Sequence, residues 1–150
     1  MFRGVTNLNL DAKGRMAMPS RYRDRLMDTC EGRLVITVDR DGCLLVYPQP
    51  EWERIEQALM SRPNMDRQVR RLQRLLVGHA TECDLDGQGR ILLPTPLREY
   101  ASLDKRAVLV GQGNKFELWD EDTWTQRREA WFREEDEAGD LSAALESLSL

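Results

Sequence analysis

The sequence has only one histidine and three cysteines among its 150 residues. Cys30, Cys43 and Cys83 are widely spaced and odd in number, which argues against a disulfide framework and favours a reducing compartment. A structural zinc site needs a set of closely spaced cysteine and histidine ligands, and the sequence contains no close cysteine pair. His79 has no catalytic partner in a recognisable motif, so a structural role is favoured. We therefore expect no metal, no cofactor and no enzymatic activity.

Long apolar runs and nucleotide-binding glycine motifs are also missing. The longest apolar runs, residues 43–47 and 107–110, are far shorter than the roughly 20 residues of a membrane-spanning helix. The two Gly-x-Gly pairs, at residues 87–89 and 111–113, lack the rest of a dinucleotide or phosphate-loop fingerprint and are interpreted as turns. The hydrophobic content of 41% and the charged content of 32% are typical of a globular chain. The length fits one domain or two small units that share a core.

The chain has no overall excess of basic residues, since its formal net charge is −4 at pH 7. The charge is unevenly distributed, however: residues 1–106 carry a net charge of +3 and residues 107–150 a net charge of −7. A mildly basic body leaves room for a local basic surface, and a polyanion responds to that local surface. Nineteen of the 22 basic residues are arginine, which is suited to bidentate contacts with carboxylate, phosphate and guanine.

An internal repeat organises the sequence. Residues 10–15 (LDAKGR) match residues 85–90 (LDGQGR) at an offset of 75, and residues 42–47 match residues 114–119 at an offset of 72. The first offset also relates Pro19 to Pro94, Ser20 to Thr95, and Arg23 to Arg98. Two copies are too few for a solenoid, so we predict a pseudo-twofold pair that shares one core. The predicted units are residues 1–62 and 77–137, with a linking basic helix over 63–76 and a tail over 138–150.

Each copy predicts the same series of elements, namely two short strands, a helix, a hairpin and a final helix. In the first copy, the alternation of residues 7–10 indicates a strand, and a helix follows over residues 21–27 with Ser20 as its cap. Residues 34–38 and 44–47 flank an Asp-Gly pair that is typical of a hairpin turn. The fold class predicted is α+β, with a β core and peripheral helices.

The repeated frame contains one Asp-x-x-x-Arg pair in each copy, Asp11 with Arg15 and Asp86 with Arg90. In a turn between strands, glycine lets the backbone reverse, and the aspartate can hold the arginine guanidinium in one orientation. A guanidinium oriented in advance loses less entropy when it meets phosphate or a guanine edge. The spacing alone leaves two interpretations open: the pairs contact nucleic acid, or they only brace their hairpins.

Two further features have ordinary structural explanations. Arg67, Arg70, Arg71 and Arg74 lie along the linking helix, where a solvated face, or pairing with the acidic stretch 134–137, is favoured over phosphate contact. The repeat also relates Trp52 to Trp124 near the start of a helix in each copy, which favours core or interface anchors over base stacking.

The sequence resembles the MraZ family of bacterial transcriptional regulators over essentially its whole length. The matching segments are residues 1–4 (MFRG), the two Asp-x-x-Gly-Arg frames, residues 48–53, residues 74–80 (RLLVGHA) and residues 111–119 (GQGNKFELW). The resemblance implies an AbrB-like, swapped-hairpin fold with two tandem units in each chain. It also implies a homo-oligomer, in the form of a ring, in the cytoplasm and associated with the nucleoid.

The resemblance implies a sequence-specific regulator that binds double-stranded DNA at repeated promoter boxes of the division and cell-wall gene cluster. It assigns DNA binding to the two Asp-x-x-x-Arg motifs, and the turn residues Lys13 and Gln88 lie near them. We therefore predict Arg15, Arg90, Lys13 and Gln88 as DNA-binding residues, with Asp11 and Asp86 orienting the arginines. Lys13 offers a charge where Gln88 offers only an amide, so we expect the two copies to contribute unequally. The alternative is a structural, β-rich oligomeric scaffold without specific DNA binding.

Overall fold

The computed structural model describes residues 1–63, 65–138 and 140–149. The strands are β1 (Phe2–Asn9), β2 (Arg15–Ala17), β3 (Leu34–Val38), β4 (Leu44–Pro48), β5 (Thr81–Glu82), β6 (Arg90–Leu92), β7 (Arg106–Gly113) and β8 (Phe116–Asp120). The helices are α1 (Ser20–Cys30), α2 (Gln49–Met60), α3 (Arg67–Leu72), α4 (Thr95–Tyr100), α5 (Glu121–Ala138) and α6 (Asp140–Ser147), and a π-helical turn over Gln73–Val77 follows α3. This mixture of helices and antiparallel strands confirms the predicted α+β class.

Strands from the two repeats pair with each other. The main sheet has the order β1-β7-β8-β4-β3-β5, and β2 pairs with β6 in a separate two-stranded sheet, called the ribbon below. In the main sheet, β1 of the first repeat runs antiparallel to β7 of the second, from Phe2 opposite Gly113 to Asn9 opposite Arg106. A second antiparallel pair, β4 with β8, again joins the two repeats. Residues 1–120 therefore form one compact unit around a shared β core.

The two faces of β3 belong to two different apolar clusters. Leu34, Ile36 and Val38 are buried in the main core, which also contains buried side chains of the ribbon and of α1 and α4. Val35 points to the other face, because successive side chains of a strand alternate, and joins a smaller cluster with Trp52. Trp52 is buried there, as expected for a core anchor.

Two local interpretations of the sequence are wrong. Ser20 does not cap α1, because the helix begins at Ser20 itself, the N-cap is Pro19, and no side-chain capping hydrogen bond is made. Gly111 does not lie in a turn, because it is part of β7 and is paired with Gly4 of β1. A β-carbon added at Gly111 would stand 2.5 Å from the backbone nitrogen of Arg3. Glycine is therefore needed there for the close approach of the two strands.

Residues 121–150 form a second compact unit that contains α5 and α6. Glu121 and Asp122 occupy the first turn of α5, where negative charge interacts favourably with the helix dipole. The rings of Trp124 and Trp131 meet edge to face, with centroids 5.9 Å apart. Side chains 135–143 lie outside those described, so the pairing of stretch 134–137 with the arginines of α3 stays a prediction. Among the described residues, no helix has the length and apolarity needed to cross a membrane.

Candidate functional site

The loop between β1 and β2 (loop 1, residues 10–14) is organised by the carboxylate of Asp11. Its Oδ1 accepts hydrogen bonds from the backbone amides of Lys13 at 3.0 Å and Arg15 at 2.8 Å. Its Oδ2 accepts a hydrogen bond from Nε of Arg15 at 2.7 Å. The loop is closed further by backbone bonds from Asp11 to Arg15 and from Gly14 to Asp11, both at 3.0 Å. One carboxylate thus fixes both the loop backbone and the orientation of the Arg15 side chain.

The equivalent loop before β6 (loop 2, residues 85–89) repeats this arrangement around Asp86. Its Oδ1 accepts from the amides of Gln88 at 2.8 Å and Arg90 at 2.9 Å. Its Oδ2 accepts from Nε of Arg90 at 3.3 Å, a longer contact than the 2.7 Å of the first loop. The two loops therefore share one backbone pattern and differ in how closely the aspartate holds its arginine.

The electrostatics of both loops keep the aspartates ionised. The pKa of Asp11 falls from 3.8 to about 2, chiefly because the backbone amide of Arg15 donates to the carboxylate. The guanidinium of Arg15 and the amide of Lys13 act in the same direction. The pKa of Asp86 is also lowered, chiefly by the hydrogen bond from the backbone amide of Arg90. At neutral pH each arginine therefore has a charged partner that orients it.

The ribbon places Arg15 and Arg90 on one surface. In its antiparallel register, Arg15 lies opposite Leu92, and Ala17 lies opposite Arg90. Because alternate residues of a strand face opposite sides, these four residues share one face, called the outer face below. Arg15 and Arg90 are diagonal neighbours on it, an arrangement that typically places two residues roughly 7–8 Å apart, with their β-carbons somewhat closer. The central pair of the ribbon, Met16 opposite Ile91, is fully buried on the core side.

Lys13 and Gln88 occupy equivalent, exposed positions in the two loops. Each donates its backbone amide to the aspartate two residues earlier in the chain. The structure thus brings together all six residues singled out from the sequence in two loops that lead into one ribbon. The two loops differ in charge, because loop 1 carries the cationic side chain of Lys13 where loop 2 carries the uncharged amide of Gln88.

Arg23 and Arg98 occupy equivalent positions in the two repeats, and the sequence pattern by itself assigns no role to either. Both side chains are half-buried, and each contacts the motif glycine of the other repeat, Arg98 at Gly14 and Arg23 at Gly89. The two glycines are buried and have positive φ angles of 82° and 74°. The signal that could have found these arginines was their recurrence at the same offset of 75 residues as the motif itself.

A cluster of potential metal ligands lies away from the ribbon. Ligand atoms of Asp39, Cys43 and Glu117 all lie within 4.8 Å of one another. Burial raises the pKa of the Cys43 thiol, with help from the charges of Glu117 and Asp39, so the thiol is protonated at neutral pH. It donates to Oδ2 of Asp39 at 3.7 Å. This hydrogen bond gives the buried thiol a partner without a metal ion. The expected absence of a cofactor stays a prediction.

Comparison with known proteins gives the same family at the level of a family model and of individual relatives. The family model described as "MraZ protein, putative antitoxin-like" matches residues 1–75 and again residues 76–144. A protein of Thioalkalivibrio sulfidiphilus named "Transcriptional regulator MraZ" is 87% identical over 150 residues, with both chains covered in full. Proteins of the same name from Halorhodospira halophila and Methylococcus capsulatus are 59% and 60% identical, over 100% and 89% of this chain and 100% and 88% of theirs. The shared name denotes a regulator and no enzyme class.

Proposed function

Because the chain belongs to the MraZ family, we propose that it is a sequence-specific, DNA-binding transcriptional regulator that acts on repeated promoter boxes of the division and cell-wall gene cluster. The observation that carries the proposal is the outer face of the ribbon, where Arg15 and Arg90 are each oriented by an aspartate. A two-stranded β-ribbon has dimensions that fit the major groove of B-form DNA. Arginine is the side chain most suited to guanine, since its guanidinium matches O6 and N7.

The roles proposed for the six residues follow from the guanidinium donors that the two aspartates leave available for DNA. In both pairs Nε donates to the aspartate, so the terminal amino groups of the guanidinium are the donors that meet a base or phosphate. Lys13 adds a phosphate contact by charge, and Gln88 adds an amide contact. Asp11 and Asp86 do not touch DNA in this account, because their charge repels phosphate. Their contribution is to limit the orientations of Arg15 and Arg90.

We further propose that the chain acts as a homo-oligomeric ring, associated with the nucleoid in the cytoplasm. The described part of the chain forms one ribbon, so several chains are needed to bind several boxes at once. A head-to-tail contact between identical subunits closes into a ring when its rotation permits. In such a ring each bound subunit raises the effective concentration of the next, and modest single contacts add up to firm binding.

The main alternative is a β-rich oligomeric scaffold in which the Asp–Arg pairs only brace their loops. The hydrogen bonds between Asp11 and Arg15 favour this alternative, because they would stabilise the loop without any ligand. A footprint on the DNA upstream of the chain's own gene, with titrations over a range of salt concentrations, separates the two. Protection of repeated boxes and a steep loss of affinity with added salt support the regulator. Absence of any DNA retention at low salt supports the scaffold.

A further inference from the structure

We infer that Arg23 and Arg98 are crossed positioning residues, each of which holds the DNA-contacting loop of the other repeat. Neither loop is then built by its own repeat alone. The crossing itself rests on geometry, and only its consequence for DNA binding rests on the proposed function.

The first contact joins α4 of the second repeat to loop 1. A β-carbon added at Gly14 would stand 2.5 Å from Cζ and from Nε of Arg98, so the guanidinium occupies the space that any other residue's side chain would need. Nε of Arg98 donates to the carbonyl oxygen of Leu93 at 3.1 Å. The amide of Leu93 in turn donates to the carbonyl oxygen of Gly14 at 3.0 Å. Arg98 therefore supports Gly14 both directly and through the residue that follows β6.

The second contact repeats the first with the repeats exchanged. A β-carbon added at Gly89 would stand 2.6 Å from Cδ and from Cζ of Arg23, which belongs to α1. Nη2 of Arg23 donates to the carbonyl oxygen of Met18 at 2.8 Å. The amide of Met18 donates to the carbonyl oxygen of Gly89 at 2.9 Å. The same arrangement of arginine, carbonyl and glycine occurs twice, which distinguishes it from an incidental surface contact.

The hydrogen-bonding groups of Arg23 and Arg98 indicate that these side chains do more than fill the space beside the two glycines. Within the described part of the chain, Nε of Arg23 is buried and has no hydrogen-bond partner. A buried donor without an acceptor is unfavourable, and an apolar side chain of similar length would avoid that cost. A planar guanidinium can cover a glycine and donate to a carbonyl in the same position, which neither an apolar chain nor lysine can do.

The position of the glycines connects this support to the DNA-contacting residues. Gly14 directly precedes Arg15. The hydrogen bond from the backbone amide of Arg15 is the largest cause of the lowered pKa of Asp11. Loss of the Arg98 side chain would free Gly14 and loosen the contact between Asp11 and Arg15. By the same argument, loss of the Arg23 side chain would loosen Asp86 and Arg90. Each substitution is therefore expected to loosen the aspartate–arginine contact of the other repeat and not of its own.

The first test needs no DNA. Carboxyl titrations followed by NMR would compare Arg98→Ala and Arg23→Ala with Arg33→Ala, an exposed control whose guanidinium pairs with Glu31. We expect Arg98→Ala to raise the pKa of Asp11 and leave Asp86 unchanged, Arg23→Ala to do the reverse, and the control to change neither. Arg98→Gln and Arg23→Gln are measured in parallel, so that poor folding of an alanine variant still leaves a result. Effects confined to the variant's own repeat, equal effects on both aspartates, or no effect would overturn the inference.

Lysine variants distinguish the positioning role of the guanidinium from the effect of its positive charge. Arg98→Lys and Arg23→Lys keep the positive charge but lose the planar guanidinium. We expect both to show the same crossed rise in the aspartate pKa as the alanine variants. Restoration of the original aspartate pKa by lysine would mean that charge alone is needed, and it would overturn the positioning role.

The second test measures DNA affinity in double-mutant cycles. Arg98→Ala combined with Arg15→Ala should be strongly non-additive, and Arg98→Ala combined with Arg90→Ala should be additive. We expect Arg98→Ala alone to weaken binding about tenfold, which corresponds to a loss of about 1.4 kcal/mol in binding free energy. Additive losses in both cycles would overturn the inference. If the unaltered chain binds no DNA, the proposed function is wrong. The carboxyl titrations still show whether each arginine supports the loop of the other repeat.

Discussion

Asp11 and Arg15 are joined by three hydrogen bonds: amide to carbonyl at 3.0 Å, amide to Oδ1 at 2.8 Å, and Nε to Oδ2 at 2.7 Å. Asp86 and Arg90 repeat all three at 2.9 Å, 2.9 Å and 3.3 Å. The two bonds donated by backbone amides agree within 0.1 Å between the loops, whereas the side-chain bond is 0.6 Å longer in loop 2. The guanidinium of Arg15 is therefore held more closely than that of Arg90.

The ionisation of Asp11 provides a test of this contact. Its folded pKa of about 2 lies below 3.8, so the ionised carboxylate stabilises the loop above pH 3.8, and this contribution is lost as the pH falls towards 2. Arg15→Ala should raise the pKa only part of the way, because the backbone amides of residues 13 and 15 still donate to the carboxylate. NMR titration of the Asp11 carboxyl checks both statements. A midpoint of 3.8 in the unaltered chain would contradict the described loop.

The contact between Gly14 and Arg98 predicts unequal costs for two glycine substitutions. Gly42 has a φ of 92° and nothing within 4 Å of an added β-carbon, whereas Gly14 has a φ of 82° and the Arg98 guanidinium in that space. Gly42→Ala should lower the free energy of unfolding by about 1–2 kcal/mol, the cost of the left-handed backbone conformation. Gly14→Ala should cost more, because the guanidinium must also move. Urea unfolding at one protein concentration measures both, and equal losses would contradict the contact.

Removal of the aspartate should weaken DNA binding less than removal of the arginine. Arg15→Ala deletes the group that meets the base, whereas Asp11→Ala leaves that group present but less well oriented. The loss of a carboxylate also reduces repulsion of phosphate, which offsets part of the damage. Titration of promoter DNA at fixed salt compares the two variants. A larger loss for Asp11→Ala would show that the aspartate itself contacts the DNA or that the loop collapses without it.

Lys13 and Gln88 should differ in their effect on salt dependence. Each phosphate neutralised by a cation contributes about 0.9 to the slope of log affinity against log salt concentration. Lys13→Ala should therefore reduce that slope by about 0.9 for each bound subunit, and Gln88→Ala should leave it unchanged. Titrations at several salt concentrations provide the slopes. An equal reduction for both variants would contradict the unequal roles of the two loops.

The proposed ring predicts the mass of the free protein. One chain has a mass of 17.4 kDa, and sedimentation should show a discrete, several-fold heavier species at micromolar concentration. The mass should not increase without limit with concentration, since a closed ring leaves no free contact for further subunits. A single species of 17.4 kDa would contradict the oligomer.

The repeat made much of the local structure predictable. The offset that aligns Asp11 with Asp86 also aligns two loops with the same hydrogen-bond pattern, because both turns share the aspartate that accepts the bonds and the glycine that lets the backbone reverse. The Asp-Gly pair at residues 41–42 lies in the predicted turn between β3 and β4, where Gly42 has a positive φ. These features depend on neighbours in sequence. The unit boundaries, such as residues 1–62 for the first copy, stay a prediction.

Long-range pairing was beyond the reach of the sequence pattern. Alternation identifies β1 as a strand, but it does not show that the partner is β7, about 100 residues away. For the same reason, alignment made Arg23 and Arg98 equivalent without showing that each reaches the glycine of the other repeat. The π-helical turn over Gln73–Val77 was missed as well, because an apolar stripe indicates a helix and not its hydrogen-bond spacing.

The most direct test of the DNA-reading role is promoter titration with the double variant Arg15→Ala, Arg90→Ala at fixed salt. One arginine that reads a base is worth about 1–3 kcal/mol, and a ring multiplies that loss over its subunits. We expect specific binding to disappear, while circular dichroism and the mass of the assembly match those of the unaltered chain. A double variant that is folded, assembles normally and binds the promoter as tightly as the unaltered chain would contradict the account and leave the Asp–Arg pairs as braces of their loops.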